Sequence, residues 1–160
     1  MSTKAFLASP VGALLIEDDD TRLISVRILA VGEAPPLDHG APLAGSPSAE
    51  AARQLAAYFA KRLDVFDLPL MPLATPRGAA LRAAIVAIAP GETLSYGALA
   101  RIASSAPRAI GQACARNPFP IIVPCHRVIG SGGAIGHYSG GSGIITKRWL
   151  LDHERRGGLL

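Results

Sequence analysis

Between Asp64 and Pro76 the chain carries three prolines, and the apolar pattern on its two sides differs. Proline fixes φ and removes a backbone donor, so this stretch can neither continue a helix nor enter the middle of a sheet. It reads as an extended linker and divides the 160 residues into two small lobes, taken as 1–72 and 73–160. On the N-terminal side, residues 4–31 alternate like strands. Ala5–Ala8 leads through a turn at Ser9-Pro10-Val11-Gly12 into Ala13–Glu17, and Asp18-Asp19-Asp20 turns the chain into Leu23–Leu29. These segments predict a small antiparallel meander. Residues 32–48, dense in Gly, Pro and Ser, predict a loop, and Glu50–Arg62 carries helical spacing at Ala51, Leu55, Tyr58 and Phe59.

The C-terminal side is helical. Ala79–Ile88 is an apolar helix stopped by Pro90-Gly91, Ser95 is placed to cap a short helix through Ala103, and Pro107 opens another through Arg116. Helix, short turn, helix is the outline of a helix-turn-helix. Asn117-Pro118-Phe119-Pro120 ends it, Ile121-Ile122-Val123 reads as a short buried strand delivering Cys125, and a glycine-rich loop, 130–143, precedes a last helix, Lys147–Arg155. The fold class expected is α/β of the α+β kind.

Charge follows the same division. Residues 1–72 hold six basic and nine acidic residues, net −3; residues 73–160 hold ten basic and three acidic, net +7. A basic half beside an acidic half points to a polyanion as partner, nucleic acid above all. No apolar run approaches the roughly 20 residues a bilayer requires, and the first residues lack a signal-peptide pattern, so a cytoplasmic protein without membrane association is expected. Cys114 and Cys125 are then expected as free thiols. With no Cys-x-x-Cys and no ligand-like spacing of the four histidines, neither a metal nor another cofactor is expected.

Cys125 is the candidate nucleophile. It sits between Pro124 and His126 at the end of an apolar run, with a fixed backbone and a base next to it. A free thiol is only a few per cent thiolate at neutral pH, so a histidine steered by a carboxylate is what such a site needs. Adjacent residues of a strand point to opposite faces, so His126 is expected to act through a bridging water. In the glycine loop, Tyr138 and Ser139 can stack on a flat group and offer hydrogen bonds. Helix Pro107–Arg116 has a mostly small interior, suited either to close approach to a groove or to tight internal packing.

Ser95-Tyr96, Arg108-Ala109-Ile110-Gly111, Asn117-Pro118, Pro124-Cys125-His126-Arg127-Val128-Ile129-Gly130, Tyr138-Ser139-Gly140-Gly141 and Lys147–Glu154 occur in order. Together they closely resemble the methylated-DNA–protein-cysteine methyltransferases, the O6-alkylguanine-DNA alkyltransferase family. The resemblance is strongest over residues 88–154 and reaches more loosely into the N-terminal lobe. It implies a ribonuclease-H-like N-terminal lobe and a winged-helix, helix-turn-helix C-terminal lobe. It implies a protein that binds double-stranded DNA containing O6-alkylguanine, or O4-alkylthymine, and moves the alkyl group irreversibly to its own cysteine without a cofactor; a monomer is the default expectation.

Carried residue by residue, the resemblance makes Cys125 the acceptor, His126 the water-mediated base and Glu154 the carboxylate that orients it. Asn117 braces the helix against the active-site turn. Tyr138 donates to the N3 side of the base, Ser139 to O6, and Val128 lends a backbone contact. Tyr96 crowds the target's 3′ phosphate, Arg108 enters the vacated stack, and Ala109 and Gly111 lie on the minor-groove helix. Lys147 is grouped with the DNA- and base-binding residues. The chain departs from the family's pattern at Arg77-Gly78 and Arg82, in a short turn between Tyr96 and Arg108, in a longer loop at Ser142–Thr146, and at Cys114 on the recognition helix. Rival readings are a cysteine hydrolase using Cys125 and His126, and a non-catalytic module that senses alkyl damage.

Overall fold

The computed structural model describes residues 3–30, 32–33 and 42–155. They divide into two compact units, Met1–Met71 and Pro72–Leu160. Most of the loop expected at 32–48 lies outside the described residues, as does residue 31 at the end of the expected meander.

In the first unit three strands form an antiparallel meander in the order β1 (Thr3–Leu7), β2 (Leu14–Asp18), β3 (Leu23–Ile28). Strand alternation puts Leu14, Ile16 and Asp18 on one face of the central strand, and all three are buried. Helix α1 (Pro47–Phe59) packs on β1 and β2. Ala51, Leu55 and Tyr58 recur at i, i+4 and i+7 and are its buried apolar residues. The helix starts three residues earlier than its apolar period predicts, because Ser46 accepts a hydrogen bond from the Ala49 amide and Pro47 fits the first turn.

Asp18 ties helix to sheet. Its carboxylate accepts from the Ser48 amide (2.8 Å), the Thr3 hydroxyl (2.6 Å) and the Asp20 amide (3.0 Å). The proline-rich stretch is more than a linker. Pro69 O accepts from the Leu23 amide and Leu23 O from the Met71 amide, so Leu70 bridges in parallel to Leu23. Gln54 exchanges two side-chain hydrogen bonds with the backbone of Asp67, each 3.0 Å, in the manner of a strand neighbour.

The second unit holds helices α2 (Pro76–Val86), α3 (Tyr96–Ile102), α4 (Pro107–Ala115) and α5 (Ile144–Glu154). Strands β4 (Leu94–Ser95) and β5 (Val128–Ile129) pair in parallel. Thr75 and Ser95 cap α2 and α3 through their side chains. α3 and α4 pack together across the turn at 103–106, which is the expected helix-turn-helix. α5 begins at Ile144 rather than Lys147, so part of the seemingly long loop at Ser142–Thr146 is helix. Among the described residues no helix is long and apolar enough to cross a membrane.

The expected strand Ile121–Val123 is absent. Those residues form a buried turn in which Ile121 takes φ +75°, and Cys125–Arg127 is a single 3₁₀ turn. A β-branched residue pays sterically for a left-handed backbone, and such strain persists only where surrounding contacts impose it.

Burial raises the Asp18 carboxyl pKa, but the bonds from Thr3, Ser48 and Asp20 outweigh it and hold it at about 2. A depressed folded pKa stabilises above the unfolded value of ~3.9, and that contribution is lost as pH falls towards 2. Asp18→Ala is therefore expected to lose about 2 kcal/mol in urea unfolding at pH 7, with the gap to wild type narrowing between pH 4 and 2.

Candidate active site

Asn117, the second residue past α4, builds the turn that presents Cys125. Its Oδ1 accepts from the Phe119 amide (2.9 Å), and its Nδ2 donates to Val123 O (3.0 Å) and to the Cys125 sulfur (3.1 Å). Phe119 O takes the Val123 amide, and Val123 O takes the Cys125 amide at 2.8 Å around Pro124 (φ −82°, ψ 61°), an inverse γ-turn. One amide side chain thus touches both ends of the bend and the sulfur it carries.

His126, Arg127 and Glu154 form a buried cluster. Glu154 Oε2 accepts from His126 Nε2 (2.7 Å) and Arg127 Nη2 (2.9 Å), and Oε1 from Arg127 Nε (2.8 Å). Arg127 Nη1 donates to Ile88 O at 2.6 Å. Complete burial lowers the His126 pKa despite the carboxylate beside it, so the ring is neutral. A carboxylate only accepts, which puts the ring proton on Nε2 and leaves Nδ1 as a bare acceptor. Nδ1 is buried and has no hydrogen-bond partner within the protein. The strand argument for His126 facing away from Cys125 falls with the strand. What sets its direction is the bond to Glu154.

The Cys125 thiol is held down from 9.0 to about 7. The hydrogen bond from the Cys114 thiol is the largest cause; burial opposes it, and Asn117, the backbone amide and the charge of Lys147 add to the lowering. Cys114 itself is pushed up by the same contact and by burial. Both cysteines are free thiols. Tyr138 is buried, its hydroxyl has no partner, and burial together with the charge on Cys125 keeps it protonated. Tyr96, half-buried at the start of α3, is raised for the same reasons.

Lys147 does not face outward as its grouping with the DNA contacts requires. It is 0% exposed, and its ammonium donates to Val128 O (2.7 Å) and His137 O (3.1 Å) and lies 5.9 Å from the centre of the Tyr96 ring. The reason is its place on the inner face of α5. It fastens β5 to the glycine loop, where a Cβ on Gly136 (φ +77°) would come within 3.3 Å of Nζ. Val128 is buried with its carbonyl used in this way.

Ser139 and Arg108 are exposed, Ala109 and Gly111 half-buried. A Cβ added to Gly111 would meet nothing within 4 Å, so internal packing does not require glycine there. Of the departing arginines, Arg77 donates to Ser105 in the turn of the helix-turn-helix (3.2 Å), and Arg82 lies over the Phe119 ring at 5.3 Å. The sequence reading missed two residues of the site, Arg127 and the contact of Cys114. An arginine inside the apolar run 121–129 was the available signal for the first.

A lowered cysteine beside a neutral histidine, next to a helix-turn-helix, defines a protein with a cysteine nucleophile on a DNA-binding scaffold. The 6-O-methylguanine DNA methyltransferase ribonuclease-like domain matches residues 3–72, and the DNA-binding domain of the same family matches residues 79–156. The chain belongs to this family. It is 41% identical over 149 residues to the methylated-DNA–protein-cysteine methyltransferase of Mycobacterium tuberculosis (strain H37Rv), covering 92% of this chain and 88% of the relative. It is 34% identical to that of Homo sapiens, covering 92% and 78%. A crystal structure of Mycobacterium tuberculosis OGT in complex with DNA superposes with a TM-score of 0.80 at 37% identity, covering 96% of this chain and 92% of the other.

The Cys125 value sets a pH dependence. Below about 7 the sulfur is protonated and above it a thiolate. The rate of Cys125 alkylation by iodoacetamide, followed by peptide mass, is expected to fall about tenfold per pH unit below 7 and to level off above 8.

Proposed function

We propose that this protein repairs double-stranded DNA by moving the alkyl group from O6 of guanine, or O4 of thymine, onto its own Cys125, once per molecule. The observation that carries this is the Cys125 sulfur, buried yet held near neutrality by hydrogen-bond donors, with the bare Nδ1 of a neutral histidine on the next residue. Residues 1–72 form the ribonuclease-H-like lobe, and residues 73–160 form the lobe that binds DNA and accepts the alkyl group. The protein acts as a cytoplasmic monomer.

O6 is out of a thiolate's reach while guanine stays stacked, so the base must rotate out of the duplex. Helix α4 approaches the minor groove with Ala109 and Gly111. The open space over Gly111 supports this, since its small size serves an approaching body rather than the core. Exposed Arg108 enters the stack, and Tyr96 crowds the 3′ phosphate.

In the pocket His126, oriented by Glu154, takes the Cys125 proton through water. Asn117 holds the sulfur. The thiolate attacks the alkyl carbon in line, the S–C bond forms, and the C–O6 bond breaks with its electron pair going to the purine. Tyr138, protonated and unpartnered, supplies a proton at the N3 side as that charge builds, with Ser139 at O6 and the Val128 backbone completing the contacts. The thioether formed is not reversed by thiols, so each molecule acts once.

Intact mass after mixing with excess duplex containing one O6-methylguanine is expected to rise by one methyl, on Cys125, with no further turnover. Cys125→Ala should still bind the duplex and gain no methyl. Tight binding with unchanged mass in the wild type would make the protein a damage sensor instead. Flipping costs a few kcal/mol, part of which Arg108 is assigned to offset. Arg108→Ala is therefore expected to slow transfer from duplex DNA about 10- to 100-fold, while transfer from free O6-alkylguanine base stays unchanged.

A further inference from the structure

Helices α2 and α4 pack together with unequal side chains. Leu81 and Ile85, four residues apart on α2, are buried, but α4 meets them with Ala109 and Ala113, too small to fill the space. A cavity of about 290 Å³ remains, wholly within the second unit. Neither Cys125 nor Tyr138 lines it, so it is distinct from the site around the nucleophile.

Its walls are sorted by polarity. Leu81, Ile85 and Val123 are buried, Arg82 is half-buried, and Arg77 and Arg116 are exposed. Positive charge therefore stands at the mouth and apolar surface within, and no lining residue is acidic. Arg77 and Arg82 are departures from the family's pattern, and the alkyl-transfer reaction gives them no part. Arg77 donates to Ser105 and the Arg82 guanidinium lies over the Phe119 ring, so both are held in place. Burial pulls the Arg82 pKa below its ordinary value. Its guanidinium has lost part of its water, and an anion brought to it offsets that loss.

We propose that this cavity is a second binding site, for a small phosphate monoester whose ring enters between α2 and α4 while Arg77, Arg82 and Arg116 hold its phosphate. This goes beyond the alkyl-transfer reading and needs no chemistry at Cys125.

A phosphate monoester carries close to two negative charges near neutral pH, and guanidinium forks match its oxygens. A carboxylate offers one charge to three arginines. A phosphodiester of duplex DNA also offers one, and its base is stacked away from the recess. The volume lies at the small end of the roughly 300–1,000 Å³ of ligand pockets, which suits a molecule of one or two rings. Asn117, which holds the Cys125 sulfur, also lines the cavity, so an occupant sits one side chain from the nucleophile.

The test titrates phenyl phosphate into the full-length protein, with inorganic phosphate as the head alone and benzyl alcohol as the body alone, read by calorimetry and amide NMR. Phenyl phosphate is expected to bind about tenfold more tightly than either part, with shifts centred on the cavity and including the Asn117 side-chain amide. The double variant Arg82→Gln/Arg116→Gln should bind it about tenfold more weakly. Ala113→Leu fills the recess without touching a charge and should abolish binding. Thermal unfolding checks that each variant is folded.

No binding of phenyl phosphate by the wild type would overturn the proposal, as would equal affinity for inorganic phosphate or binding that survives in a folded Ala113→Leu. So would an arginine variant that loses affinity for duplex DNA yet binds phenyl phosphate as the wild type does; the arginines would then be a DNA-backbone surface. Failure of methyl transfer would sink the alkyl-transfer reading and leave these titrations unaffected.

Discussion

The carboxylate of Glu154 is the interaction on which the second unit's geometry depends. Buried at the end of α5, it receives three hydrogen bonds from consecutive residues, His126 and Arg127. Two isolated charges in such a place would be unfavourable by several kcal/mol each, and only close pairing with each nitrogen hydrogen-bonded makes them tolerable. Arg127 meets that condition with Glu154 and Ile88 O. Leu150 and Lys147 precede Glu154 by four and seven residues, which puts all three on one face of α5, and all three are buried. One helix face therefore braces the reactive segment at two places about 10 Å apart, Glu154 at residues 126–127 and Lys147 at Val128 and His137. The placement of Cys125 is set by α5 as much as by its own turn.

The same burial sorts the protonation states. Desolvation outweighs the Glu154 carboxylate at His126, which is neutral, and keeps the proton on Tyr138, whose hydroxyl has no partner. Cys125 escapes because donors converge on it. The three groups are thus driven apart by one cause acting on different surroundings. That leaves an acceptor, a donor and a nucleophile near neutral pH within the second unit. Arg127 also limits His126: its charge, sharing Glu154, weakens the histidine's hold on a second proton.

Local signals were legible in the chain. Alternation placed the meander, Ser95 and Pro107 marked true helix starts, and the Pro-Cys-His-Arg run marked the nucleophile. What was not legible depends on contacts distant in sequence. Ile121-Ile122-Val123 has the composition of a buried strand. Asn117 turns it into a bend by occupying Val123 O, and no periodicity carries that information. Lys147 belongs to the residue type most often exposed, and only the fold of the glycine loop over α5 supplies two carbonyls for it. Cys114 stands out in the sequence as a departure on the recognition helix, but its electrostatic interaction with Cys125, eleven positions on across a turn, is not legible there.

Helix α4 joins these observations. Ile110 faces inward and is fully buried, and Asn117, two residues past the helix, bonds the Cys125 sulfur. Arg108, Gln112 and Ala115 lie on the opposite side and are exposed, with Gly111 beside them opening on to empty space. The helix and the Asn117 turn that follows it therefore offer a surface to solvent on one side and hold the Cys125 sulfur from the other. A helix is stiff along its hydrogen-bonded axis, so a body seated against the outer face is linked to the sulfur through the helix and the short turn that ends at Asn117. Small residues leave the outer face open to close approach, as the empty space over Gly111 shows. The composition of α4 answers to two opposing surfaces at once.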